Sequence, residues 1–448
     1  MKPKQIGSLS ETDAGRLDFG HQLGPMQSAY NLPSRHQSDY TSRRSKRRSV
    51  ESTAAPNADS QLRAVDVMAQ IHPETAPIQS RSSLQNKYRA VVAIPCCNEF
   101  ETLPETLMSL EATGQVRDEV LVVVNVNQRA SMDNRNNLAT LNWLDEFETS
   151  LPLAWLDHVT DGRAYPEKFG VGLARHQCCA VGIPFVDETA PIISLDADSP
   201  VDPNYFQAIF DYIAHHPGFQ AGHVNFKHRH CGNADEKRAI EIYERHLKRH
   251  RQKLEDANSP HAWYAIGSTI VCTKQAYVKS GGYHCRRMAG EDFYLLQQLS
   301  KTGCNIEMIE EAFVFPSDRV SDRVPFGTGK AVADIVESGR WLTYHDHCYR
   351  DLGQLLDAVE RGVANSAEDI LKNVPEVCKS WLVGRKFASV WPKLQNNSRD
   401  NEMLLQRFHE WLDAFQTLKL IHFLSDNVHP RVAMEINRVE FKQVTPKT

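Results

Sequence analysis

No two of the 10 cysteines stand in a Cys-x-x-Cys spacing, so the chain carries neither a zinc-ribbon nor a thioredoxin-like motif. The adjacent pairs Cys96-Cys97 and Cys178-Cys179 fall inside apparent core elements. They read as reduced thiols in a cytoplasmic compartment rather than as a disulfide framework. No apolar run is long enough to span a bilayer and no signal-peptide core is evident, which argues against a membrane-spanning synthase. An excess of positive charge is missing too: 51 Lys and Arg against 56 Asp and Glu give a formal net charge of −5 and no reason to expect nucleic acid as a partner. Nor is there a full glycine-rich phosphate loop, because Gly170 and Gly172 lack the spacing.

What remains is a long chain with alternating signals. Its 448 residues leave room for a large core and an accessory region. Residues 1–86 are rich in Ser, Gln, Pro and charge without a sustained apolar period, the pattern of an unfolded tail. The tail holds a basic cluster, Arg43-Arg44-Ser45-Lys46-Arg47-Arg48. This is either a solvated stretch or a peripheral contact with anionic lipid at the inner membrane face. From 87 to 350 the reading is an α/β domain. Tyr88 to Pro95 is a buried strand, Thr102 to Leu110 a helix, Glu119 to Asn125 a second strand, Trp263 to Thr273 a strand-like run, and Gly290 to Leu299 an amphipathic helix. Strand, polar edge and helix in repetition predict a doubly wound, Rossmann-like mixed sheet. From 351 to 448 apolar residues recur at three-to-four spacing in Leu352–Val363, Ala367–Val374 and Glu402–Leu424, which predicts a helical accessory region.

The most informative segment is Ile193-Ser194-Leu195-Asp196-Ala197-Asp198, an apolar run ending in two aspartates one residue apart. In an open α/β sheet, ligands bind outside the carboxyl ends of the strands. Two hard oxygen donors at such an edge suit a divalent cation that also holds a phosphate. The bland alternative is that they only end a strand.

Four segments in order, Ile94-Pro95-Cys96-Cys97-Asn98-Glu99, Gly172-Leu173-Ala174-Arg175, Asp196-Ala197-Asp198, and Gly281-Gly282-Tyr283 with Gly290-Glu291-Asp292, resemble family 2 glycosyltransferases of the GT-A fold over about half of the chain. That resemblance implies transfer of a sugar from a nucleotide-diphospho-sugar to a hydroxyl acceptor, usually with inversion and with Mn2+ or Mg2+. It implies Asp198 as metal ligand, with Asp196 near the ribose or a metal-bound water. Asp292 becomes the base, with Glu291 beside it as the substitute and an ordinary helix-start carboxylate as the alternative. Pro95, Asn98 and Glu99 match the loop along the nucleoside. Asn125 and Asn127 stand where many members carry acidic residues; amides still read a base edge. That departure leaves the base open; from the resemblance, UDP-sugars are the first expectation for the donor and GDP-sugars the second. Lys168 and Arg175 are read as contacts to the base or diphosphate, or as surface charges.

Between Pro316 and Lys330 the chain repeats Ser-Asp-Arg-Val. Arg319, Arg323 and Lys330 could close over the diphosphate and Asp318 or Asp322 could add a metal ligand. Surface ion pairs are the equal alternative. Arg340-Trp341 resembles the acceptor-lining element of processive members, although without membrane spans a non-processive enzyme is expected. His228-Arg229-His230-Cys231 lacks a structural zinc partner cluster, and one of His345 and His347 is a further candidate for a metal shell. Two other classes share these features. A sugar-nucleotide nucleotidyltransferase would need a glycine-rich triphosphate loop after the first strand, where Cys96-Cys97-Asn98-Glu99 stands instead. A non-catalytic nucleotide-sugar binder would tolerate loss of Asp198 or Asp292, and both are present.

Overall fold

A computed structural model describes residues 78–434 apart from 82, 86, 231, 286–288 and 319–326. The basic cluster at 43–48 and the candidate residues Arg319, Arg323 and Asp322 lie outside the described residues.

Eight strands form one mixed sheet. In chain order they are β1 (Ile78–Gln79), β2 (Ala90–Cys96), β3 (Val120–Asn127), β4 (Leu153–His158), β5 (Pro191–Ser194), β6 (Ala221–Phe226), β7 (Ile270–Thr273) and β8 (Ile306–Val314). Their spatial order is β1-β4-β3-β2-β5-β7-β6-β8. β4, β3, β2 and β5 run parallel, β7 is antiparallel to both of its neighbours, and β6 pairs parallel with β8. Every residue of β2 and β3 is buried, as expected for central strands covered on both faces. The pleat of β2 divides its side chains between two cores: Ala90, Val92 and Ile94 face one cluster, Val91 and Ala93 the other.

Helices cover both faces. α1 (Leu103–Glu111) starts with a proline in its first turn and buries Leu103, Leu107 and Leu110 against the first face. α2 (Arg135–Glu146) adds Leu144 to the same core. α3 (Val171–Gly182) packs Cys178 and Cys179 on the opposite face. α4 (Tyr205–His215) returns to the first face, and the long α5 (Ala234–Asp256) opens with a capping box between Asn233 and Glu236. α6 (Lys274–Ser280) and α7 (Glu291–Lys301) join α3 on the second face, and α8 (Thr328–Ser338) packs against α5.

A short antiparallel pair follows, β9 (Leu342–Thr343) with β10 (Val432–Ala433). Between them run α9 (Asp346–Arg361), α10 (Ala367–Asn373), α11 (Glu376–Gly384), α12 (Phe387–Asn396), α13 (Asn401–Trp411) and α14 (Ala414–Asn427). The doubly wound α/β class and the C-terminal helices match the sequence reading. Two details differ. The run from Trp263 to Thr273 yields only four residues of strand, because Gly267–Thr269 turns as a 3-10 segment over the cavity described below. The run from Glu402 to Leu424 is two helices, because the Asp413 side chain accepts from the Gln416 amide and starts a new helix there.

The C-terminal helices share one core with the sheet: Leu352, Leu355, Leu420 and Leu424 belong to the same cluster as Val92, Val224 and Phe226. Part of the seam is polar. His250 Nδ1 and the Tyr349 hydroxyl are 2.6 Å apart, and Tyr344 bonds His422. Burial pushes His250 down to about 4 and His422 down to about 3, from an ordinary value of 6.5. In the unfolded chain both histidines bind protons near pH 6.5, whereas in the folded chain they do so only at about 4 and below, so acidification through that window favours unfolding. Thermal melts should therefore lose stability as pH falls from 6.5 toward 4, and His422→Gln should flatten that loss.

Candidate active site

A cavity of about 420 Å³ opens at the carboxyl ends of the parallel strands. Pro95 and Glu99 reach it from the end of β2, Asn127 from the end of β3, and Asp196 and Asp198 from the loop after β5. Glu291 and Asp292, at the start of α7, complete the opposite wall. Gly290 precedes them at φ 71°, a left-handed conformation that lets the chain turn sharply into the helix.

Arg175 on α3 holds these pieces together. Its side chain is only 3% exposed. Nε donates to Glu291 Oε1 at 2.9 Å, Nη1 to Ser194 Oγ at 2.9 Å, and Nη2 to Asp196 Oδ1. The Tyr283 hydroxyl donates to the same Ser194 oxygen at 2.8 Å. Gly267 makes room for the guanidinium: a Cβ built there would lie 2.1 Å from Nη2. Arg175 is therefore a buried brace between Asp196 and Glu291, not a surface charge.

With Glu291 paired to Arg175, Asp292 carries the unusual electrostatics. It lies deep in the cleft with part of its surface open to the cavity. Burial first, and the neighbouring Glu291 charge second, push its carboxyl from 3.8 up to about 7. A carboxyl so poised accepts a proton readily near neutral pH. In the opposite wall, Asp198 Oδ1 accepts from Ser199 Oγ at 3.3 Å, and the Asp198 carbonyl accepts from Arg229 Nη2 at 3.2 Å.

Among the described residues no group of three or more His, Cys, Asp or Glu side chains forms a protein-only metal cage. The donor set fits a hard divalent ion of another kind, held by one or two carboxylates and completed by substrate phosphates and water. Asp198 reaches the cavity wall, whereas Asp196 commits an oxygen to Arg175.

The other candidates scatter. Asn125 is fully buried behind the wall: its Nδ2 donates to the Tyr165 hydroxyl at 3.0 Å and to Gln177 Oε1 at 3.1 Å, and His158 Nδ1 is 2.9 Å from its Oδ1. Asn127 reaches the cavity but also donates to the carbonyls of Cys96 and Asn125. Asn98 adopts φ 56° and its amide donates to Asn137 Oδ1 at 2.7 Å, so it shapes the loop rather than lining the cavity. Lys168 is exposed, 5.2 Å above the Phe169 ring and away from the wall. Arg340 is exposed, whereas Trp341 is buried in a smaller chamber nearby. Lys330 lines that chamber and pairs with Asp334. Asp318 is buried, 3.8 Å from His230 Nδ1. His345 caps α9 through Nδ1, and neither it nor His347 borders the cavity.

Sequence reasoning missed Ser194 and Gly267 around the guanidinium, and Glu244, whose Oε1 is 2.8 Å from Nδ1 of the cavity-lining His228. Glu244 lies on α5, 16 residues from its partner, and no motif announces it.

No protein-family model and no curated protein matches the chain. Among solved structures, it is similar to Staphylococcus aureus TarS 1-349 in complex with UDP-GlcNAc, with 13% identity over 73% of this chain and 91% of that one and a TM-score of 0.36. A mannosyltransferase from Pyrobaculum calidifontis in complex with GDP-Man and Mn2+ shows 13% identity over 79% of this chain and 94% of that one, with a TM-score of 0.37. The glucosyl-3-phosphoglycerate synthase of Mycobacterium tuberculosis in complex with UDP shows 12% identity over 53% of this chain and 78% of that one, with a TM-score of 0.30.

Two substitutions test the electrostatics. Removing the guanidinium in Arg175→Ala strands two acidic partners, and should cost about 3–5 kcal/mol in denaturant melts. Asp292→Asn should do the reverse. The folded carboxyl titrates at about 7 and the unfolded one near 3.8, so the folded state binds the extra proton between them and loses stability as pH rises through that window. Asp292→Asn should therefore raise Tm at pH 8 and change it little at pH 4.

Proposed function

We propose that this chain transfers a sugar from a nucleotide-diphospho-sugar to a hydroxyl acceptor, as a non-processive, inverting glycosyltransferase of family 2 and GT-A type. The observation that carries the reading is the pairing of Asp198 and Asp292 across one cavity at the sheet's carboxyl edge, with Arg175 bracing the residues between them. A nucleotide binder has no need of a buried carboxyl raised to about 7, whereas a proton acceptor in group transfer does.

In this mechanism Pro95, Glu99 and Asn127 border the nucleoside end of the donor. Asp196, fixed by Arg175, faces the ribose and diphosphate. Asp198 would hold Mn2+ or Mg2+, which supplies positive charge to the leaving diphosphate when bound. The acceptor hydroxyl oxygen attacks the sugar's anomeric carbon from the face opposite the leaving group. A new carbon–oxygen bond forms, and the bond from the anomeric carbon to the diphosphate oxygen breaks. The nucleoside diphosphate departs with the electron pair, and Asp292 takes the acceptor's proton. Glu291 stays paired with Arg175, so the two neighbouring carboxylates hold different roles. Trp341 belongs to the acceptor side.

The test is release of nucleoside diphosphate from a panel of UDP- and GDP-sugars with Mn2+, Mg2+ or chelator. One donor should turn over only with metal. Asp198→Ala should abolish that turnover, and Asp292→Asn should lower kcat by about 10²–10⁴-fold. Because the base works deprotonated, kcat/KM should climb with pH to a limb near 7 and then level off. A folded protein that turns over no donor, with or without metal, would sink the assignment; conversion of a donor to nucleoside triphosphate and sugar 1-phosphate on addition of pyrophosphate would mark a nucleotidyltransferase.

A further inference from the structure

His228 lines the main cavity without a role in the transfer mechanism. It stands two residues past the end of β6, and its side chain is only 1% exposed. The ring is held from two sides. Nδ1 is 2.8 Å from Glu244 Oε1, and the same oxygen accepts the His228 backbone N–H. The Phe226 ring lies perpendicular to the imidazole, with centroids 5.5 Å apart. Lys248 steadies Glu244 in turn: its Nζ is 3.7 Å from Oε2 and 4.9 Å above the Phe226 ring.

Glu244 stays ionised in this setting. Burial alone would raise its carboxyl, but the hydrogen bonds from His228, backed by Lys248, bring it below its ordinary value of 4.5. A carboxylate only accepts, so Nδ1 carries the proton, and in the neutral ring Nε2 is left with a lone pair. Nε2 has no partner among the described residues. The unpartnered nitrogens of His176, His223, His246, His261 and His409 are all sealed from the surface, whereas Nε2 of His228 is not. It is the ring atom that His228 presents to the cavity.

Two neighbours place this nitrogen along the cleft. On one side Arg229 Nη2 donates to the Asp198 carbonyl at 3.2 Å and tethers the segment to the aspartate loop. On the other, Tyr243, next to Glu244 on α5, also lines the cavity. Burial first and the Asp292 charge second push its hydroxyl up, so it lies near that carboxyl. His228 thus stands between the wall of Asp198 and the wall of Asp292. On the reading of the chain as a glycosyltransferase, the diphosphate lies at the first and the acceptor hydroxyl at the second, with the sugar in transfer between them. A lone pair repels the unprotonated oxygens of a diphosphate and accepts from an O–H. Resting on that reading, we propose that His228 Nε2 accepts a hydrogen bond from a hydroxyl of the transferred sugar, with Glu244 as the positioning residue that fixes its tautomer and direction. The donor then carries a free hydroxyl at that position. An analogue deoxygenated there is rejected, because it leaves the lone pair unmatched in a closed wall.

The experiment uses the full chain, the donor identified by turnover and a series of its monodeoxy analogues. With wild type, one analogue should lose about 10–100-fold in kcat/KM and the others less. His228→Asn keeps an amide N–H near the place of Nδ1, and so the bond to Glu244, but removes the cavity nitrogen. It should lose a similar factor with the parent donor and almost nothing further with that one analogue. His228→Gln carries an amide oxygen to the place of Nε2 and should recover part of the loss. Glu244→Gln, which donates to Nδ1 and reverses the tautomer, should lower kcat/KM for the parent donor and spare the analogue. Melts check that each variant folds, and Glu244→Gln carries the same comparison if His228→Asn does not. Losses that multiply at every position overturn the inference, since no sugar hydroxyl is then coupled to residue 228. So does a wild-type kcat/KM in folded His228→Asn, which makes the pair purely structural. A shifted Mn2+ activation constant with an unchanged deoxy profile overturns it too, and marks Nε2 as a metal ligand. In each of these cases the wild type turns over its donor and the transferase reading stands; a wild type without turnover removes both.

Discussion

A buried guanidinium cannot remain in a protein interior without acidic partners, and the candidate site is organised around that requirement. Arg175 is charged at any relevant pH and all but excluded from water, so desolvation must be offset where it sits. The partners come from β5, the loop after it and the start of α7, which the chain would otherwise place independently. Its rigid fork sets their spacing, and the absence of a side chain at Gly267 lets the fork fit. The aspartate motif after β5 and the carboxylate pair on α7 are thereby held as one assembly.

The same ion pair differentiates two adjacent carboxylates. Glu291 has its counterion in contact. Asp292 has none in contact among the described residues, shares the low-dielectric cleft and feels the Glu291 charge, so its proton is held to about 7. A single positive charge placed one residue away thus produces one permanently engaged carboxylate and one that can exchange a proton. Chemistry of two kinds becomes available from two neighbouring acidic residues.

The C-terminal helices belong to the same physical unit. They complete the core under the first face of the sheet, and α14 walls the chamber beside Asp292. Their seam with the rest of the chain includes neutral histidines hydrogen-bonded to tyrosines, His250 with Tyr349 and His422 with Tyr344. A region that reads in sequence as an accessory bundle is, in packing terms, a wall of the cleft.

The α/β class, the order of its first strands and helices, and the cluster of acidic residues at strand ends were all legible in the sequence, because each depends on local periodicity and on the rule that sheet ligands bind at carboxyl edges. Pro95, Glu99, Asn127, Asp196, Asp198, Glu291 and Asp292 were singled out in sequence and do share one cavity. Asn125, Lys168 and Arg340 were singled out by similar patterns and do not line it, since a strand end or a loop position does not say which way a side chain turns. Nothing local distinguishes Arg175 as a brace rather than a surface charge, as its contact with Glu291 spans 116 residues. Sequence by itself determined which segments are strands and helices, and which acidic residues arrive at the sheet's edge. Tertiary structure alone decided which carboxylate meets the guanidinium and which is left to hold a proton, because pairing and burial are properties of residues brought together from distant parts of the chain.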